Sequence, residues 1–324
     1  MTVDRRAFTK SLLAMGAGLA FPSLVAAGEA PPSTVVAARS SRLLRVNHDV
    51  DQEAAAYFLN QAMRTLTGAK TTKQAWSAMF ESHHRVAIKL SCLPGKYLSS
   101  SRGLVMAIVA GLKTAGVREE NIWIWERTGR ELEKAGFPFS DKGVRVFGTD
   151  HLPNGGYSKN FAFSGSVGTL FSEIVEDADV LINVPVLKDH DIAGVSCAMK
   201  NFYGAIYNPN KFHGNNCDPY IADLYNHPKL KNKCRLHVCD ASRIQVHNGP
   251  AFYPKYVKEY GGIMVSMNAV AMDYTGWQSI ERERRAMTLK SLKDEGRMPS
   301  YIGTAAKLGL GKADEKGVEL INIT

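Results

Sequence analysis

Lys188, His190, Lys200, Asn201 and His213 fall within one short stretch of this chain. Together they suit an anion. Ammonium groups bind carboxylate or phosphate as point charges. A histidine of near-neutral pKa moves a proton or ligates a metal through neutral imidazole. A lysine desolvated in a pocket becomes a nucleophile. The stretch opens on Asp179-Val-Leu-Ile-Asn183-Val-Pro185-Val-Leu-Lys188-Asp189-His190. The apolar run from Ala178 to Val186 reads as a buried strand that delivers Lys188 and His190 at its carboxyl end. Gly194 then starts a helix-like stretch carrying Lys200 and Asn201, whose amino end adds oriented N–H groups. His213 follows on a loop. Cys197 lies between small residues and reads as packed rather than reactive.

These side chains need a sheet edge to converge on. Strand-like runs lie at 34–38, 85–90, 121–126, 144–147, 178–186, 235–238, 263–265 and 318–323. Helical spacing marks 52–67, 104–115, 131–135 and 277–295. The alternation predicts an α/β fold: a mostly parallel sheet with helices on both faces, with room for a smaller second lobe in the inserted loops. Ligands of such sheets sit at the carboxyl ends of the strands. Lys89 ends the 85–90 run. Asp240 follows the 235–238 run, and Asp273 sits in Ala271-Met-Asp273-Tyr-Thr-Gly276. Both aspartates are candidates to face the crevice and orient a lysine or histidine, and both could instead cap a helix or make a turn. The segment from Gly155 to Gly168 reads as loop or an irregular hairpin.

Other clusters are weaker. Cys234-Arg-Leu-His237-Val-Cys239 has metal-type residues, but strand alternation sets His237 opposite to Cys234. His83-His84 precedes a strand on its amino side and reads as solvated. The five cysteines are Cys92, Cys197, Cys217, Cys234 and Cys239. None forms a Cys-x-x-Cys pair, so neither an iron–sulfur cluster nor a c-type haem is signalled.

The first residues carry an address. Arg5-Arg6-Ala7-Phe8-Thr9-Lys10 has the Arg-Arg-x-apolar-x-Lys order, and an apolar stretch runs from Ser11 to Ala27. That stretch is broken by Gly16, Gly18 and Pro22, and it is short of the roughly 20 residues a spanning helix needs. Small residues then offer cleavage after Ala27 or Ala30. The expectation is a twin-arginine signal over 1–30 and a single periplasmic α/β domain over 31–324, with a membrane tether if the signal stays on. The export machinery is then a partner. The route carries folded chains, often with a cofactor already loaded.

The formal net charge is +9, and 45% of residues are hydrophobic. The signal holds Arg5, Arg6 and Lys10 against Asp4 and Glu29, so a charge of +8 remains beyond it. The basic residues are dispersed and match no nucleic-acid motif. A basic pocket for a small anion is compatible with that charge.

Asp179 to His190, followed by Gly194-Val-Ser196 and Lys200-Asn-Phe-Tyr-Gly204, resembles the signature of the family known as domain of unknown function 362. The likeness extends to Arg85-Val-Ala-Ile-Lys89, the 104–116 helix, Asp240, Ala271-Met-Asp273 and the 302–318 region, and so to most of the chain. Members are sometimes joined to ferredoxin modules, which implies a redox partner; this chain lacks those cysteines. The first loop departs from the family's Lys-Pro-Asn, reading Lys89-Leu-Ser91-Cys92. The segment is also similar to the central motif of the nickel-pincer lactate racemase family, through His190, Ala193-Gly194, Ser196, Lys200 and His213. That resemblance implies a cofactor linked to Lys200, proton transfer by His190 and metal binding by His213. It departs at Cys197-Ala198, where the family has glycines. It also departs at Arg127-Thr128, where a second catalytic histidine is expected.

Three functions are consistent with this sequence. The first is an exported enzyme acting on a small carboxylate or phosphate, with Lys89, Lys188 and Asn201 binding the anion and His190 and Lys200 doing chemistry. The second is a non-catalytic binder of a metal or cofactor. The third is a redox accessory protein.

Overall fold

A computed structural model describes residues 33–324. The export signal read at 1–30 lies outside the described residues. Twelve strands are present among those described: β1 Thr34–Arg39, β2 Val86–Lys89, β3 Ile122–Glu126, β4 Arg145–Gly148, β5 Ala162–Ser164, β6 Val167–Thr169, β7 Val180–Asn183, β8 Val186–His190, β9 Gly194–Ser196, β10 Cys234–Gln245, β11 Val257–Ser266 and β12 Glu319–Ile323. The helices are α1 Gln52–Thr67, α2 Thr72–Ser77, α3 Arg102–Thr114, α4 Gly129–Lys134, α5 Glu173–Asp177, α6 Ala198–Asn201, α7 Tyr220–Tyr225, α8 Pro228–Lys231, α9 Ala269–Ala286 and α10 Tyr301–Lys307.

Ten strands make one sheet in the order β12-β1-β11-β10-β7-β2-β3-β4, with β8 and β9 branching from β10. The pairings are parallel except β1–β11, β10–β11 and β8–β9. The fold is therefore α/β with a mostly parallel sheet. Buried apolar side chains form two clusters, one on each face. Helices α1 to α4 contribute to one and α5 to α10 to the other. Strands β2, β3 and β7 are buried along their whole length, as continuous apolar runs between two helical layers require. The hairpin expected within 155–168 is β5–β6.

Local chemistry sets the helix ends. Asp51 caps α1 by accepting from the Ala54 N–H at 2.7 Å, and Gly68 closes it in the left-handed region at φ 67°. Helix α3 lies against Trp76, and a Cβ at Gly111 would stand 2.1 Å from that indole. Helix α9 starts eight residues before the expected 277, because Asn268 caps it by accepting from Ala271 N at 2.9 Å. It stops at Ala286, short of the expected 295. Thr288 then turns to φ 57°, and no Gly or Pro marks that stop.

Two corrections concern the segment that carries the candidate site. The 178–186 run is not one strand. β7 and β8 lie in succession along β10, joined at Val184-Pro185. β7 pairs with Cys234–His237, and β8 pairs with Asp240 and Gln245. At the joint, Val184 N donates to Lys89 O at 2.8 Å and Asp240 N to Pro185 O at 2.8 Å. The prolyl nitrogen has no hydrogen to give a ladder, which suits it to this break. Nor does Gly194 begin a helix. It begins β9, which folds back antiparallel on β8 and pairs Lys188 with Ser196 and His190 with Gly194. Gly194 has φ 77°, and a Cβ there would stand 2.2 Å from Arg297 O.

Alternation along β8 then sorts the side chains: Lys188 and His190 line one cavity, and Asp189 is buried elsewhere. Asp189 Oδ1 accepts from Arg297 Nη1 at 2.7 Å and Arg284 Nη1 at 3.4 Å, and Oδ2 from Gly249 N at 3.0 Å. Arg284 also donates to Val246 O at 2.7 Å, and Arg297 to His190 O at 3.0 Å. This cluster clamps β8 to α9 and to the loop after it. Breaking such a buried ion pair from one side typically costs about 3–5 kcal/mol.

Candidate functional site

The carboxyl ends of β2, β3 and β8, with the segment through α6 to His213, enclose a cavity of ≈ 300 Å³. Lys89, Lys188, His190, Lys200, Asn201 and His213 all line it. Asp240 and Asp273 do not.

Lys89 and Lys188 have different partners. Lys89 Nζ is 2.5 Å from Glu126 Oε1 and donates to Leu90 O at 2.7 Å. Glu126 also accepts from Arg127 N at 2.8 Å and Cys92 N at 3.1 Å. Gly204 makes room for this pair, since a Cβ there would lie 2.6 Å from Lys89 Nζ and 2.7 Å from Glu126 Oε1. Lys188 is buried and donates to the Ser91 hydroxyl at 2.9 Å, with no ion pair among the described residues. Burial lowers its pKa to about 8, although the Glu126 charge opposes the fall.

Lys200 is buried too and, among the described residues, has no carboxylate partner. Its Nζ stands 3.1 Å from His213 Nε2 and 3.8 Å from the Tyr203 ring centroid. Burial brings this pKa to about 8 as well, and Lys188 pushes in the same direction.

The two histidines are held in opposite tautomers. His213 Nδ1 lies 3.2 Å from Pro209 O, a pure acceptor, so Nδ1 carries the proton and Nε2 turns its lone pair to Lys200. At His190, Nδ1 accepts from Ile192 N and Ala193 N, both at 3.2 Å. The Asp191 carboxylate is also 3.2 Å from Nδ1. The two N–H groups aimed at Nδ1 demand a lone pair there, and that assigns the proton to Nε2. Burial, then the charges of Lys200 and His213, lower the His190 pKa to about 2. At neutral pH it is an uncharged N–H donor, suited to a carbonyl or carboxylate oxygen.

The aspartates act from behind. Asp273 accepts from Ala198 N and from Met199 N at 3.1 Å, and so caps α6. The amino end of the helix bearing Lys200 is thereby occupied and does not offer its N–H groups to an anion. Burial raises the Asp273 pKa to about 7 against these donors. Asp240 accepts from Arg45 Nη2 at 2.9 Å and Ser101 N at 2.7 Å. It thereby ties down the loop whose Ser91 receives Lys188. Asn201 donates to Asn183 Oδ1 at 2.7 Å.

Glu126, Arg127, Glu131, Ser91 and Tyr203 also line the cavity and were not singled out from sequence. Glu126 ends β3 and Arg127 follows it, so the rule that led to Lys89 would have found them. Arg127 pairs with Glu131 at 3.0 Å.

The donor set does not fit a metal at His213. Its lone pair already faces the Lys200 amine, and a cation there would stand beside another. Among the described residues, the group with metal-ligand spacing is Glu81, His83 and His84, at the amino end of β2. His84 there is buried rather than solvated, with Nδ1 accepting from Glu81 N at 2.9 Å. Cys234 and His237 are also closer than alternation predicts. A register shift between Cys234 and Leu236 brings Sγ to 3.7 Å from His237 Nε2. All five cysteines are buried free thiols.

A family model described as "Domain of unknown function (DUF362)" matches residues 86–278. No curated protein matches the chain. The lactate racemase apoprotein from Thermoanaerobacterium thermosaccharolyticum is similar in structure at 13% identity and a TM-score of 0.43. The match covers 76% of this chain and 57% of that one, so this chain spans little more than half the length of that protein.

The pKa values near 8 fix a pH dependence. Unfolded lysine titrates at about 10.4. Below pH 8 both states carry the proton, and the folded state bears the full desolvation penalty. Between pH 8 and about 10.4 the unfolded chain holds more protons, so these groups make stability rise with pH. Lys200→Met is therefore expected to stabilise the protein at pH 7 by on the order of 2 kcal/mol, with the gain fading by about pH 10. Urea unfolding at both pH values measures it; a loss of stability at pH 7 contradicts the assignment.

Proposed function

Since the chain belongs to the domain of unknown function 362 family, whose description assigns no reaction, we propose from the cavity itself that this protein binds a small anion. The anion, a carboxylate or phosphate, lies between Lys188 and Lys200. One observation carries the reading: two buried ammonium groups face a cavity, and among the described residues no carboxylate is paired to either. Desolvated charge is costly until a counter-charge arrives, and a bound anion supplies one. His190 adds an Nε2–H donor to orient the ligand, and Lys200 is the group with the chemistry for turnover. Lys89 is already neutralised by Glu126 and shapes the wall.

Inorganic phosphate and acetate are the probes. At pH 7 and a roughly hundredfold excess over Kd, either is expected to raise Tm by about 5 °C. Lys188→Met and Lys200→Met should each remove most of that shift. An equal shift in wild type and both variants, or none in wild type, overturns the proposal.

We also propose that the protein works in the periplasm after twin-arginine export. The support is the order of Arg5-Arg6, apolar stretch and small-residue exit. Changing both arginines to lysine should leave the chain in the cytoplasmic fraction of an exporting host. Export of that variant at the wild-type level refutes the route.

A further inference from the structure

The anion pocket needs charge, but it does not need a lysine and a histidine held as a proton-transfer pair. Among the described residues, Lys200 has one polar side-chain partner, His213, whose Nε2 lone pair lies 3.1 Å from Nζ. The Pro209 carbonyl at 3.2 Å from Nδ1 fixes that ring in the accepting tautomer. Lys188 donates to the Ser91 hydroxyl instead. The two lysines of this pocket thus have different partners: Lys200 faces a base placed to take its proton, and Lys188 a hydroxyl. His190 adds an Nε2–H that is not used by its own backbone. Both rings lie together, with centroids 5.6 Å apart and planes at 24°.

We infer that Lys200 is a nucleophile that condenses with the carbonyl of a small 2-oxo acid to form an imine, with His213 carrying the proton and Lys188 binding the carboxylate. The inference rests on the anion-pocket reading and deepens it. The Lys200 ammonium passes one proton to His213. The free amine attacks the carbonyl carbon, forming a C–N bond, and the carbonyl oxygen takes a proton from the nitrogen to give a carbinolamine. His213 returns its proton to the departing hydroxyl, which leaves as water. A protonated imine remains on Lys200, with one water released and the charge unchanged. No oxidant or reductant enters. The His190 Nε2–H donates to the oxygen while it carries negative charge, as an oxyanion donor does. A lysine desolvated in its pocket is a known route to such nucleophiles, and the pKa of about 8 for Lys200 agrees with it.

Glyoxylate is the probe because it is the smallest 2-oxo acid, so no steric argument can excuse its failure. The full chain at pH 7 is incubated with glyoxylate and cyanoborohydride, which reduces the imine to carboxymethyl-lysine. Peptide mapping then locates the product. The expected result is modification of Lys200 at least about tenfold faster than of the exposed Lys70 and Lys73. Lys200→Arg should carry no adduct in the pocket, and His213→Asn should slow the reaction at Lys200 by a similar factor. Phosphate binding, measured alongside by calorimetry, separates the two claims. If phosphate binds in a Lys188-dependent way but glyoxylate marks only exposed lysines, the imine is refuted and the pocket stands. If neither phosphate nor glyoxylate engages the pocket, both readings fall. Rapid modification of Lys200 that is unchanged in His213→Asn removes histidine from the proposed step.

Discussion

Two ammonium groups have been taken out of water at one sheet edge with no carboxylate, among the described residues, in hydrogen-bond contact with either. That constraint organises this part of the molecule. Charges buried singly are expensive, and proteins ordinarily pair them. The neighbouring Lys89 shows the ordinary solution: Glu126 sits against it, and Gly204 gives up its side chain to make room. Lys188 and Lys200 are left with a hydroxyl and an imidazole. The difference within one pocket separates an ion pair from two lysines with uncharged partners, and on the proposed reading that charge is for a ligand.

The nearby buried aspartates serve the frame. Asp189 holds Arg284 and Arg297, Asp273 caps the helix of Lys200, and Asp240 takes Arg45 and the loop bearing Ser91. Each lies one step behind a lysine and fixes the backbone that presents it. The arrangement rigidifies the pocket without neutralising it. The amino end of α6 is filled by the Asp273 carboxylate, so its N–H groups are not offered to the cavity.

Much of this was legible in the sequence. The apolar run ahead of Lys188 and His190 placed both at a strand's carboxyl end, and the strand-end rule picked Lys89. The α/β alternation gave the sheet, and helix α1 spans the expected 52–67. What was not legible came from contacts distant in the chain. Nothing around Asp189 announces Arg284 and Arg297, which arrive from α9 and the segment beyond it. The break at Val184-Pro185 was hidden because both halves are equally apolar, and only pairing along β10 separates them. Gly194 read as a helix start because Val195 to Lys200 lacks a turn signal; its positive φ serves the return to β9. The histidine roles could not be read at all, since each is set by backbone groups from its own loop.

The account stands or falls on the state of those two lysines. Carbon-13 lysine labelling, with signals assigned through Lys188→Met and Lys200→Met, lets each titration be followed by NMR with and without phosphate. The account predicts two midpoints near 8 in the free protein, both moving upward when phosphate binds. Midpoints at the ordinary value of about 10.4, indifferent to phosphate, would contradict it.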